Sequence, residues 1–554
     1  MKNKNNHLFW VLALLAAFCF DQFFWQTPHI GINFIIVTAL AILGGLIPLW
    51  IDKIHIPWKT YLLLVPIVTF AMMTAVHSEP FTTFINIVIT LGASILFAIT
   101  LRNGAWMTFN LREHLVSLGK FILNCFAGGI LFFQRMRPRN LVSSVSDADQ
   151  TPPKSKSDQG KSENSSQKTR KPFVPYLRGV LLAFPVLIIL ALLLASADPI
   201  FNDRLLNLFA WFDIEKLGEY IFRLFYILIL AYVLLSAYYF GTVKSKKIGK
   251  KAAGKKLVKP FLGSIEAGVI LGSVNLLFLF FVILQFRYLF GGKANIHLEG
   301  FTYAEYARRG FFELLAVVLI SLLLFYLLSL FTKRETKAKR RVFSGLGLFL
   351  VGLVGVILAS AYTRLSLYES AYGFTRLRTL THIFMVWTGV LLVGIAFLEI
   401  RQRMERLAIL LILFVFGFGL TLNLLNIDRF IVKQNVSRAL DPHQSGTEAA
   451  LDTVYLFSLS YDSISPMVDL FKDDQLADSL HDDIGGVLAC RSASLHKNQP
   501  QKWSSYHFSR AQAISLLQSQ SGALEKYRVF EDEGWLRVVV NGKSRSCYGY
   551  DYID

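Results

Sequence analysis

Two stretches of this chain bring cationic, aromatic and acidic side chains close enough together to grip an anion. In SAYTRLSLYESAYGFTRLRTLTH, the residues Arg364, Tyr368, Tyr372 and Arg376 recur every fourth position, with Glu369, Arg378 and His382 among them. If a helix runs on through Tyr372, that spacing puts them on one stripe. In FTYAEYARRGFFEL, Glu305, Arg308, Arg309 and Glu313 are equally crowded. Guanidinium forks hold phosphate or carboxylate at two points, and tyrosine suits the headgroup level of a bilayer. A second reading uses the same residues structurally, the arginines pairing with Glu305, Glu313 and Glu369 to pin helices together. The sequence leaves both open.

Catalytic and cofactor chemistry finds no motif. There is no His-Glu-x-x-His, paired Cys-x-x-Cys or nucleophile-elbow pattern, and the histidines are scattered singly. Gly249-x4-Gly254-Lys255-Lys256 approaches a phosphate-binding loop, but it has Lys where a magnesium-binding Ser or Thr is needed, and no strand precedes it. It reads as a solvated loop. No cofactor or metal is expected, and an enzyme is the less favoured class.

The elements that must carry these residues belong to a membrane. Of 554 residues 54% are hydrophobic and only 17% charged, and Phe alone accounts for 47; the mean hydropathy is +0.46. Such a composition implies lipid-facing surface. The net charge of +19 raises the question of nucleic acid, but Lys and Arg cluster in loops between apolar runs, as the positive-inside rule predicts for cytoplasmic loops. Runs of about 20 apolar residues, enough to cross a bilayer, occupy 8–26, 30–51, 59–77 and 81–101, then 178–197, 219–240, 264–287, 310–331, 342–362, 380–399 and 407–425. The weaker run 118–134 carries Lys120, Asn124 and Gln134 and is read as not crossing. The basic loops then fall on one side, with an inside N-terminus and an outside C-terminal domain. The expected fold is an all-α polytopic membrane helix bundle of about 11 transmembrane helices with a small α+β extracytoplasmic C-terminal domain. Its parts are 1–134, a disordered basic cytoplasmic linker 135–177, a main transmembrane region 178–426 and the soluble domain 427–554.

Polar residues within the runs are costly and face protein or water. Asp21, Arg223, Glu266, Asn275, Gln285, Arg287, Asn423 and Asn426 are of this kind, the single amides reading best as interhelical hydrogen-bonding glue. Gly345, Gly352 and Gly355 suggest close helix packing. In the tail, Asn541-Gly542 between β-branched and aromatic runs signals a hairpin. Cys490 and Cys547 either form a disulfide, if the domain lies outside the cytoplasm, or remain two buried thiols.

The phrases ASADPIF, RYLFGG with TYAEYARRGFFEL, AYTRLSLYESAYGFTRLR with HIFMVW, and SLSYDSISPMVDL resemble the bacterial membrane proteins grouped as domain of unknown function 4173, over about 178 to 470. The resemblance implies a bacterial, inner-membrane setting and no catalytic residue. Two functions follow from the residues. The leading one is transport or handling of an anionic solute or lipid headgroup at the outer Arg/Tyr/Glu residues. The alternative is a sensor or scaffold whose outer domain detects a signal while the basic linker meets a cytoplasmic protein or anionic lipid.

Overall fold

The computed structural model describes residues 6–25, 27, 30–136, 194, 198, 217–246, 260–289, 311–440, 452–473, 476–497 and 502–547. The expected linker from residue 137, the run 178–197 apart from Leu194, the basic loop 247–259 and Glu305, Arg308 and Arg309 lie outside them. Residues 1–132 with 231–554 form one compact unit and residues 133–230 a second. In the second, the first turns of helix α7 (Leu217–Tyr239) carry an ion pair between Glu219 and Arg223 at 3.6 Å.

Ten helices among the described residues are long and apolar enough to cross a membrane. In chain order the N-terminal helices are α1 (Asn6–Phe24), α2 (Ile32–Ile51), α3 (Trp58–Tyr61), α4 (Leu64–Met73), α5 (Pro80–Thr100) and α6 (Leu111–Met136). After α7 come α8 (Ser264–Leu289), α9 (Phe311–Phe331), α10 (Lys337–Tyr372), α11 (Arg376–Ile400) and α12 (Leu407–Leu425). The run expected as one span over 59–77 is the short broken pair α3 and α4. Pro66 accounts for the break, since its ring collides with the carbonyl four residues back, at Leu62. The run expected not to cross belongs to the 26-residue α6, which has sufficient length. Phe121 meets Phe240 at 5.3 Å, Asn124 donates to Ser236 O at 2.8 Å and Tyr232 donates to Phe126 O at 2.5 Å, so α6 runs antiparallel alongside the last turns of α7.

The helices share two ends. At the basic end, Thr60 Oγ1 donates to Thr100 O at 3.1 Å, Trp106 Nε1 to Lys59 O at 2.7 Å, and Arg102 N to Ser245 Oγ at 2.9 Å. There, too, Lys333 N donates to Leu262 O at 2.9 Å. At the opposite end the starts of α2, α5 and α11 meet the C-terminal domain. Gly31 permits one of these meetings, because a Cβ there would lie 2.3 Å from Tyr506 O.

Buried amides fasten spans as expected. Asn86 and Asn423 exchange side-chain hydrogen bonds at 2.9 and 2.7 Å, Asn275 donates to Leu346 O at 3.0 Å, and Ser360 donates to Gln285. Asp21, also buried, accepts from Gln22 at 2.9 Å. Glu266 differs from expectation: it is exposed in the first turn of α8 and accepts from Gly263 N at 2.5 Å, a helix-start role. The close-packing glycines differ as well. A Cβ on Gly345, Gly352 or Gly355 would meet nothing within 4 Å, whereas one on Gly417 would lie 1.9 Å from the Trp387 ring.

The C-terminal domain is α+β. Helices α13 (Ile427–Ala439), α14 (Thr453–Phe457), α15 (Ile464–Phe471), α16 (Asp478–Lys497), α17 (Phe508–Ser519) and α18 (Ser521–Leu524) precede the antiparallel sheet β1 (Val529–Asp532), β2 (Trp535–Val540), β3 (Lys543–Ser546). Both turns are two residues long with positive φ, Glu533-Gly534 and the expected Asn541-Gly542, which matches the twist of antiparallel strands. Cys490 on α16 and Cys547 after β3 are joined as a disulfide, their Cα atoms 5.4 Å apart. The core is not the domain's alone. Ile383 and Leu422, from the spans, belong to the same buried cluster as Val436, Met467, Val487 and Val538.

Candidate functional site

The densest buried charge lies where the domain meets the helix ends. Helix α12 ends at Asn426, whose left-handed φ of 48° turns the chain into α13. This turn buries Asp428 completely. Its carboxylate accepts Arg376 Nε at 2.7 Å and Nη2 at 2.6 Å, and Ser460 N at 2.6 Å. The paired geometry is the strong, two-point form of a guanidinium–carboxylate bond. Glu79 lies 3.8 Å from Arg376 on another side and caps α5 by accepting Phe81 N at 3.0 Å and Thr82 N at 2.5 Å. The hydroxyl of Tyr455 accepts Arg376 N at 2.8 Å; burial pushes the pKa of this phenol up.

A second carboxylate continues the seam. Asp462 Oδ2 accepts Ser78 N at 2.8 Å and Glu79 N at 3.2 Å, and Oδ1 faces His77 Nδ1 at 4.0 Å. Burial pushes the His77 imidazole below its ordinary range, against the opposing pull of Asp462. Beside these residues are two cavities of about 190 and 420 Å³, with Tyr461 in the wall of each.

The arginine stripe expected through Arg376 is broken. Gly373 takes a φ of 77°, ending α10, so Arg376 begins a different helix and serves Asp428. Arg378 donates to Gly373 O at 2.6 Å and lies 4.0 Å over the Tyr368 ring, with Tyr372 exposed beside it. Arg364 is half-buried two turns down α10, and Glu313 is exposed at the start of α9. Glu369, expected as a partner for arginine, instead holds His382 Nδ1 at 2.8 Å, while His382 Nε2 lies 3.2 Å from Ser366 Oγ.

At the basic end, Glu399 is buried and accepts Ser344 Oγ at 2.6 Å and Arg334 Nη1 at 3.3 Å. Gln402 donates to Ser344 Oγ at 2.9 Å, and the Arg334 guanidinium lies 3.8 Å over the Phe343 ring. None of Asp428, Asp462, His77, Glu79 or Glu399 stands out in the sequence by type or spacing. Pairs separated by 52 or 384 positions leave no local spacing to find. The usable signal was a carboxylate beside the end of an apolar run, as in LLNIDRF and LEIRQR.

A bundle of bilayer-length apolar helices, closed at one end by an α+β domain, defines a multi-pass integral membrane protein in contact with lipid. The chain belongs to the family described as domain of unknown function (DUF4153), whose model matches residues 64–470. The quoted phrases pointed to the 4173 group; the family shown is the other, equally uncharacterised one. No curated protein and no solved structure matches.

Proposed function

We propose that this protein is a membrane sensor, its C-terminal domain clamped to the helix ends so that a change in the domain is passed through the bundle to the basic end. One observation carries this reading: α11 has a buried ion pair at each end, Arg376 with Asp428 at its first residue and Glu399 with Arg334 near its last. At 1.5 Å per residue, the helix links the two over about 35 Å. A regular helix with both ends clamped transmits a displacement rather than absorbing it. The shared core and the Asp462 seam further argue against an independently tethered domain. The clustering of basic loops supports a cytoplasmic basic end and an outside domain in a bacterial inner membrane. Transport of an anion through the arginine stripe has lost part of its motivation, since Arg376 is already paired.

Hydrogen exchange on the full chain tests the coupling. Asp428→Asn should speed exchange in residues 374–380 and also around residues 332–342 and 399–406. Acceleration confined to the domain end would defeat the reading.

A second reading has its own observation. Ser366, His382 and Glu369 are spaced as nucleophile, base and orienting acid, which favours acyl transfer at the membrane surface. A fluorophosphonate probe should label wild type but not Ser366→Ala or His382→Gln. Unlabelled, correctly folded wild-type protein would remove this reading.

A further inference from the structure

We propose that the 420 Å³ cavity at the outer end of α5 binds an anionic amphiphile, with its phosphate-type oxyanion at Arg510 and its hydrocarbon along α5. The proposal rests first on Arg510, on α17. It is 4% exposed, yet among the described residues none of its three guanidinium nitrogens has a hydrogen-bond partner. Its guanidinium carbon lies 5.6 Å from the centre of the Tyr461 ring. Guanidinium stays protonated in proteins, and a buried charge without a partner is strongly unfavourable. Every other buried charge at this junction has been answered: Arg376 by Asp428, Asp428 by Ser460 N, and Asp462 by two backbone amides. Arg510 therefore lacks an acceptor that something else must supply.

The cavity it lines indicates what. Its polar end has Arg510, Ser78 and Tyr461, while Pro80, Phe84 and Ile87 make the other side. Ser78 and Arg510 can donate to an oxyanion, and a two-point fork suits phosphate. The apolar side begins at the first turn of α5, where a spanning helix enters the headgroup layer, and continues down to Ile87. Phe84 is 59% exposed there, on a surface that a span presents to lipid. A soluble anion would fill only the polar part. An amphiphile fills both and can arrive laterally from the outer leaflet.

The site does not depend on the coupling reading, because binding is scored at Arg510 and transmission at the basic end. The full chain is placed in nanodiscs of phosphatidylcholine, alone or mixed equally with phosphatidylglycerol, and melted. Phosphatidylglycerol should raise the melting temperature of wild type, with Arg510→Gln abolishing the rise and weakening lipid capture by about a hundredfold. In phosphatidylcholine alone Arg510→Gln should melt no lower than wild type, since it removes an unanswered charge. Should Arg510→Gln fail to fold, Ile87→Trp fills the apolar side and leaves the guanidinium; losing the rise supports the site and keeping it overturns the site. Three further results would also overturn it: a rise that survives Arg510→Gln, an equal rise from inorganic phosphate without anionic lipid, or a lower melt of Arg510→Gln independent of lipid.

Discussion

His77 occupies the turn between α4 and α5, with Asp462 facing one ring nitrogen and its own carbonyl 3.2 Å from His507 Nε2. Burial lowers its tendency to take a proton, so the folded chain binds fewer protons there than the unfolded chain does below the ordinary value of 6.5. Stability from this group is complete above that value and declines as the pH falls through it toward the lower folded value. Thermal melts between neutral pH and mild acid should show this loss, with a flatter profile in His77→Asn. Single residues of this kind were the least legible part of the sequence. His77 is one of several scattered histidines, and only Asp462, hundreds of positions later, makes it distinctive. Arg376 shows the converse. Its type and place were legible, but its role was not, because a positive φ at Gly373 moved it from a stripe into a clamp.

Helix existence was legible because hydrocarbon-length apolar runs have few other fates. Helix contacts were not. Gly345, Gly352 and Gly355 of α10 looked like packing sites from spacing alone, whereas close approaches occur at Gly347 of the same helix, against the Phe325 ring, and at Gly417 of α12, against the Trp387 ring. Trp387 is held there by its Nε1 donating to Thr421 Oγ1 at 3.0 Å. Gly417→Ala should therefore displace the indole and cost about 1–3 kcal/mol, the usual penalty of overpacking. Gly352→Ala, with open space around it, should be neutral or slightly stabilising. Paired thermal melts in one detergent check both, and equal effects would show that the indole yields freely. The broken α3–α4 pair belongs to this scale too: Pro66 was visible in the sequence, and its i−4 clash is what splits the run.

On the scale of the molecule, the turns rich in Lys and Arg gather at one end and the C-terminal domain closes the other. The positive-inside rule then predicts a reporter fused after Asp554 to be active only outside the cytoplasm, and one inserted at Lys337 only within it. The opposite pattern would reverse the orientation and, with it, the outer-leaflet placement of the Arg510 cavity. The sequence by itself determined that the chain carries many bilayer-length apolar helices and contacts lipid, because hydrophobic length is additive along the chain. Only tertiary structure decided which charges are paired, that the domain shares its core with the spans, and that Arg510 lacks an acceptor among the described residues. Those facts arise from side chains hundreds of residues apart meeting in three dimensions, which no linear spacing encodes.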